Sequence, residues 1–140
     1  MYTIVGLGNP GEEFEGTRHN TGRAIVHAFA KSKGVEEFKS DSKSKSLVAN
    51  FEEKSDKAKL LLPGTFMNKS GSAVSYFVKT AGAAKKLIVV HDDLDLPLGS
   101  IRIVFNRGSG GHKGVESVKR GIKTNEFIRL RIGISKEFRG

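Results

Sequence analysis

The sequence predicts an α/β fold: a single three-layer domain over residues 1–140, with a twisted mixed, mostly parallel β-sheet flanked by helices. Three observations carry this. Strand-length apolar runs interleave with helical periodicity along the whole chain, with no internal repeat and no linker. Leu87 to Val90 is continuously apolar, the pattern of a central strand covered on both faces. Finally, four polar motifs each follow an apolar run: Gly8-Asn9-Pro10-Gly11, Thr65-Phe66-Met67-Asn68, His91-Asp92-Asp93 and Gly110-Gly111-His112-Lys113. Ligands of open α/β sheets bind beyond the carboxyl ends of the strands. Parallel main strands would therefore make Asn9, Asn68, Asp92 and His112 neighbours in space.

Taken in order, Tyr2 to Leu7 reads as a buried strand. Asn20 to Lys33 reads as a helix with Ala24, Ile25, Ala28 and Phe29 on its apolar face and Gly34 as its stop. Lys39 to Lys45 is rich in Ser, Lys and Asp, buries nothing, and reads as a mobile loop. Leu47 to Phe51 and Ala58 to Leu62 form a hairpin across Glu52 to Lys57. Ser70 or Ser72 caps a helix running through Ala73, Val74, Phe77, Val78 and Ala81, which Gly82 ends. After the central strand, Ser100 to Asn106 alternates, with Ile101, Ile103 and Phe105 on one side. His112 to Lys123 is a short helix presenting Val115, Val118 and Ile122, weakened by Gly114 and Gly121 at roughly 1 kcal/mol each relative to alanine. In the last strand Ile128, Leu130, Ile132 and Ile134 alternate with Arg129 and Arg131.

With 140 residues the chain can bury an ordinary core, and without cysteine it has neither a disulfide framework nor a thiolate zinc site. No apolar run approaches a membrane span, and Met1-Tyr2-Thr3 leads straight into a strand without a signal-peptide pattern. A soluble, cytoplasmic protein is expected. The net charge of +9 is uneven, since residues 96–140 hold 10 Lys/Arg against 3 Asp/Glu. Such a field draws polyanions, of which nucleic acid is the commonest, although a generically basic surface would have the same composition.

The motifs narrow the chemistry. Gly6-Leu7-Gly8-Asn9-Pro10-Gly11 matches G-x-G-x-x-G in letters, but Pro10 and the polar stretch Glu12 to His19 separate it from the next helix. It reads as a tight turn presenting the Asn9 amide. His19 precedes the first helix, where the helix N-terminus disfavours imidazolium, while a carboxylate such as Asp92 on one ring nitrogen would stabilise the cation formed when the other takes a proton. Such a pair makes a general base that activates water; the other reading of His19 is a helix cap. His91-Asp92-Asp93-Leu94-Asp95 has donors that suit Mg, Mn or Zn, but its spacing matches no standard metal motif. There is no G-x-S-x-G nucleophile elbow. The loop from Arg107 to Gly114 opens a helix and offers backbone N–H groups and Lys113 to a phosphate or oxyanion, without the Gly-Lys-Ser/Thr ending of a P-loop.

Taken together, Ile4 to Gly11, Thr17 to Gly22, Pro63 with Thr65 to Asn68 and Ser70-Gly71, His91 to Pro97 with Gly99, Gly110 to His112 with Gly114, and Arg129 to Ile134 resemble bacterial peptidyl-tRNA hydrolase. Six motifs in the family's order cover nearly the whole chain. The resemblance implies a peptidyl-tRNA hydrolase-like fold and a metal-independent esterase, without cofactor, that frees tRNA from peptidyl-tRNA shed by ribosomes. It implies His19 as general base and Asp92 as the carboxylate orienting it. Asn9 would distinguish a blocked amino group, and Asn68 would lie near the reacting ester. Phe14, Phe66, Met67, Asn68, Gly111, His112 and Lys113 would contact substrate, and Arg131 would grip the tRNA 5′ phosphate. The implied partner is the acceptor stem and 3′ end of peptidyl-tRNA. A monomer is implied, with no membrane and no obligate protein partner.

Three departures from the family pattern stand out. Lys113 replaces the usual Asn after Gly-Gly-His, so an ammonium donor stands where an amide would also accept. Phe14 replaces a common Tyr and loses its hydroxyl. The sequence ends at Gly140, where the family usually continues into a helix covering part of the cleft, so that segment is expected to be lacking. The alternative is a non-catalytic RNA-binding protein on the same fold.

Overall fold

The computed structural model describes residues 1–8, 20–35, 37–64 and 69–135. Strand β1 (Tyr2–Gly6) leads to helix α1 (Thr21–Ser32) and then to strands β2 (Lys39–Asp41), β3 (Ser46–Glu53) and β4 (Asp56–Pro63). Helices α2 (Ser70–Phe77) and α3 (Ala81–Ala84) precede the long strand β5 (Leu87–Pro97). Strand β6 (Ile101–Phe105), helix α4 (Lys113–Ile122) and strand β7 (Ile128–Ser135) complete the fold.

The strands form one mixed sheet in the order β2-β3-β4-β1-β5-β7-β6. Its middle is parallel, through β4 with β1, β1 with β5 and β5 with β7, while the consecutive strands β2, β3 and β4 at one margin and the β6–β7 pair, joined through α4, at the other are antiparallel. Alternation of side chains gives the sheet two apolar faces. On one, Val26 and Ala30 of α1 pack on Leu60, Leu62, Val90 and Ile132. On the other, Val74 of α2, Ala84 of α3 and Val115 and Val118 of α4 pack on Val5, Leu61, Leu87 and Val89. These are the expected three layers.

Four local expectations are corrected. In α1 the row against the sheet is Gly22, Val26 and Ala30, with Ile25 and Phe29 at its flank, whereas Ala24 and Ala28 are exposed. Gly22 sets that rotation: a Cβ there would lie 2.1 Å from the Val90 carbonyl oxygen, so only glycine lets α1 approach β5 this closely. The stretch expected to be a loop forms β2, an edge strand on β3, and the turn after it is held by the Ser44 hydroxyl donating to Asp41 Oδ2 at 2.6 Å. Lysine and short length are usual on edge strands, so the polar composition that suggested a loop also describes an edge.

The helix expected to run to Ala81 is broken. Val78 is extended, and Thr80 caps α3 by accepting the Ala83 N–H at 3.0 Å, so Gly82 lies inside a helix instead of ending one. Strand β5, last, does not run out at Val90. Pairing with β7 carries it through His91, Asp92 and Asp93 to Pro97. The alternating apolar residues of β6 are confirmed as a strand face, but Ile101, Ile103 and Phe105 are exposed.

Candidate active site

The site lies where β1 ends and β5 continues. Gly6 pairs with Val90, and beyond that point β5 keeps β7 as its ladder partner. Several backbone bonds fix the surroundings. The Leu7 N–H donates to the Val90 carbonyl at 3.0 Å, and the Arg23 N–H donates to the Leu7 carbonyl at 3.1 Å. Arg23 Nη1 reaches the Pro63 carbonyl at 2.8 Å, tying the first turn of α1 to the end of β4. On the face of the sheet opposite α1, the Gly71 N–H donates to Ser117 Oγ at 2.9 Å. A Cβ on Gly71 would lie 1.9 Å from the Ser117 carbonyl oxygen, so α2 and α4 meet closely there. The chain on both sides of residues 9–19 and 65–68 thus converges on the carboxyl end of the parallel strands.

Asp92 is the hub. It is buried, and its Oδ1 accepts from His112 Nε2 at 2.8 Å. His112 caps α4: its Nδ1 accepts the N–H groups of Gly114 and Val115 at 3.1 and 3.2 Å. With Nδ1 accepting twice, the ring proton is assigned to Nε2, so a neutral His112 donates to the carboxylate. The imidazole also satisfies two of the N–H groups that a helix start leaves without partners.

His91 and Asp93 alternate with Asp92, on the side of the sheet that packs against α4. The two histidine rings meet edge to face, with centroids 4.7 Å apart. Fully buried His91 donates from Nδ1 to the Asp92 backbone carbonyl at 2.7 Å, and its Nε2 accepts from Arg129 Nη1 at 3.2 Å. Burial pushes its imidazole down to about 4, helped by the charge of Arg129 and opposed by the hydrogen bond to the Asp92 carbonyl. Arg129, also buried, sends Nη2 to the Gly108 carbonyl at 2.6 Å. Burial would raise the Asp93 carboxyl, but the hydrogen bond from Arg131 Nε, the Asp95 amide and the Arg131 charge together hold it below the usual range.

Among the described residues these groups line a cleft of about 330 Å³, closed on one side by the loop from Arg107 to Gly111. Gly110 and Gly111 take positive φ, which lets that loop turn sharply into His112. The lining carries both signs of charge, with Arg107, Arg129 and Arg131 beside Asp92, Asp93 and Asp95, and Arg131 pairs with Asp93. Among the described residues no group of three or more His, Cys, Asp or Glu is arranged to hold a metal ion. The donors of the metal reading have other work: Asp92 holds His112, Asp93 holds Arg131, and both nitrogens of His91 are engaged.

Of the residues expected from sequence, Asp92, Gly111, His112, Lys113 and Arg131 come to this end of the sheet. Lys113 is exposed at the first position of α4, and the Gly111 N–H donates to Ser109 Oγ at 3.2 Å. Arg131 is engaged by Asp93. Asn9, Phe14, His19, Phe66, Met67 and Asn68 lie outside the described residues. Sequence reasoning missed Arg129, and it weighed His91 only as a metal donor. The signal for both was present: two arginines alternate in an otherwise apolar strand, and such charges must find partners on the neighbouring strand when buried.

The sequence profile of the peptidyl-tRNA hydrolase family matches residues 3–140. Peptidyl-tRNA hydrolase of Methylacidiphilum infernorum is 46% identical over 135 residues, covering 96% of this chain and 70% of that protein. Its counterpart in a Thermoanaerobacter species is 47% identical over 137 residues, covering 97% of this chain and 73% of that protein. Among solved structures, peptidyl-tRNA hydrolase of Acinetobacter baumannii superposes with a TM-score of 0.89 at 38% identity, over 98% of this chain and 69% of that one. A peptidyl-tRNA hydrolase in complex with N-propanol gives 0.89 at 39% identity, over 100% and 70%. Agreement in profile, identity and backbone over nearly its full length makes this chain a member of the peptidyl-tRNA hydrolase family.

Proposed function

We infer that this chain hydrolyses the ester between the peptide and the 3′ ribose of tRNA in peptidyl-tRNA, freeing the tRNA for reuse. One observation carries the reading: a buried carboxylate, Asp92, stands on the central strand just beyond the point where its β1 pairing ends, with a neutral imidazole, His112, already fixed on it. Alternation places Asp92 with Val90 on the face covered by α1, whose first turn begins two residues after His19. An ionised carboxylate accepts at several lone-pair sites, so it can hold His112 and a second imidazole together.

In this mechanism His19 takes the proton of the attacking water while Asp92 orients its ring and stabilises the imidazolium. Asn68 serves the oxyanion that develops on the ester carbonyl. Asn9 binds the peptide backbone next to the ester and so selects a blocked amino group. Phe14, Phe66 and Met67 give apolar contact, and Gly111, His112 and Lys113 border the acceptor end. Arg131 meets phosphate at the tRNA 5′ end, and the basic residues after position 96 bind the acceptor stem mainly through its backbone. The protein acts as a cytoplasmic monomer without metal or an obligate protein partner.

The test is release of N-acetyl-aminoacyl groups from tRNA, with unblocked aminoacyl-tRNA, EDTA and His19→Ala as the other arms. EDTA-resistant release of the blocked substrate alone, abolished in the variant, is the expected result. Tight tRNA binding without release would favour the RNA-binding reading.

A further inference from the structure

We propose that His91 and Arg129 form a positioning pair that keeps Asp92 and His112 in register for the reaction. The pair rests on the hydrolase reading and deepens it. The Arg129 guanidinium forks, with one arm on His91 Nε2 at 3.2 Å and the other on the Gly108 carbonyl at 2.6 Å. Its planar geometry suits two acceptors at once, and its charge is not lost by deprotonation in proteins. His91 passes the constraint on, donating to the Asp92 carbonyl at 2.7 Å and packing its ring against that of His112 at 4.7 Å. Gly108 belongs to the glycine-rich loop that ends in His112, so one buried side chain holds both the strand bearing the carboxylate and the loop bearing its imidazole partner.

The arrangement is demanding. A buried guanidinium costs free energy unless its donors are satisfied, and a buried imidazole serves as acceptor only when neutral. Both conditions hold here, since His91 gives its Nδ1 proton to a carbonyl and turns its other nitrogen to Arg129. An apolar pair of similar size would fill the same space without anchoring the loop.

The test uses the full chain and N-acetyl-aminoacyl-tRNA. Arg129→Met and His91→Leu each lower kcat by about 10- to 100-fold, with KM within about threefold of the parent, because misplaced groups lose rate more than binding. Arg129→Lys keeps the charge but cannot fork, and it falls with Arg129→Met; it also serves if the methionine variant does not fold. His91→Gln keeps an acceptor for Arg129 and stays within about threefold of the parent. The Arg129→Met/His91→Leu double variant is no slower than the worse single variant, as residues acting as one unit are non-additive. The second readout is the nitrogen-15 NMR signature of His112, which reports Nε2–H in the parent and mixed tautomers in Arg129→Met. That readout needs no turnover, so it judges the pair even if the parent proves inactive. Multiplying losses in the double variant, full activity of Arg129→Lys, or an unmoved His112 signature would each overturn the proposal. So would a raised KM with intact kcat and a shallower salt dependence, which would make Arg129 a direct phosphate contact.

Discussion

The two halves of β5 share one ladder and do opposite work. From Leu87 to Val90 the strand lies between β1 and β7, and Leu87, Val89 and Val90 are at most 2% exposed, packed by helices on both faces. From His91 onward β7 stays alongside but the β1 pairing has ended at Gly6. Three ionisable side chains then follow in succession, each held by a partner from elsewhere in the fold: Arg129, His112 and Arg131. The 107–112 loop brings His112 onto this half of the strand. A single strand can thus pass from apolar core to a cluster of ionisable side chains within one residue, provided each buried charge meets its partner.

The largest expected effect on stability separates the halves by truncation. Leu87→Ala removes a fully buried side chain from the lower half and should destabilise by about 2–5 kcal/mol in chemical denaturation. The kcat of the protein that remains folded should be unchanged. A fall in kcat without loss of stability would blur the division between the halves.

Much of this division is readable in the sequence. The continuous apolar run of Leu87 to Val90 announced a buried central strand, and the glycines around His112 announced a loop opening a helix. The end of β5 was misjudged because His91, Asp92 and Asp93 are poor strand formers by composition. Their place in the ladder is decided by β7, about forty residues later, and by partners that no local pattern reveals. The alternation of Arg129 and Arg131 in an apolar strand signals buried charge, but the identity of the Arg129 partners is hidden for the same reason: His91 and Gly108 are distant in sequence. Asp92 and His112 were expected to be neighbours, but the direct hydrogen bond between them follows only from the cap that turns the His112 ring. The break between α2 and α3 turned on Thr80, whose hydroxyl offers the backbone a competing bond.

Acid should act on the upper half first. His91 has its imidazole pushed down to about 4, against 6.5 in the unfolded chain. Between those values the unfolded state binds the proton and the folded state does not, so stability falls as pH drops from about 6.5 to about 4. The loss approaches about 3 kcal/mol. His91→Gln should flatten that portion of a pH–stability curve, with Asp93, held low by Arg131, adding its own loss at still lower pH. An unaltered curve in the variant would assign the acid sensitivity elsewhere.

The smallest effect concerns binding. Arg131→Ala should raise KM about three- to tenfold, more than it lowers kcat, and should make tRNA binding less dependent on salt. Combining it with Asp93→Asn removes the carboxylate left unpaired, so that the change in KM reports phosphate contact alone. An unchanged KM in both backgrounds would remove Arg131 from the tRNA interface.

The most direct test of the account is Asp92→Asn, measured at once for turnover of N-acetyl-aminoacyl-tRNA and for thermal unfolding. The amide keeps the size of the side chain and can still accept from His112, but it no longer stabilises an imidazolium. The account predicts a kcat about 10³-fold lower with a melting temperature close to that of the parent. Turnover within a few-fold of the parent would contradict it, because the Asp92 carboxylate would then be a structural group and the chemistry would lie elsewhere.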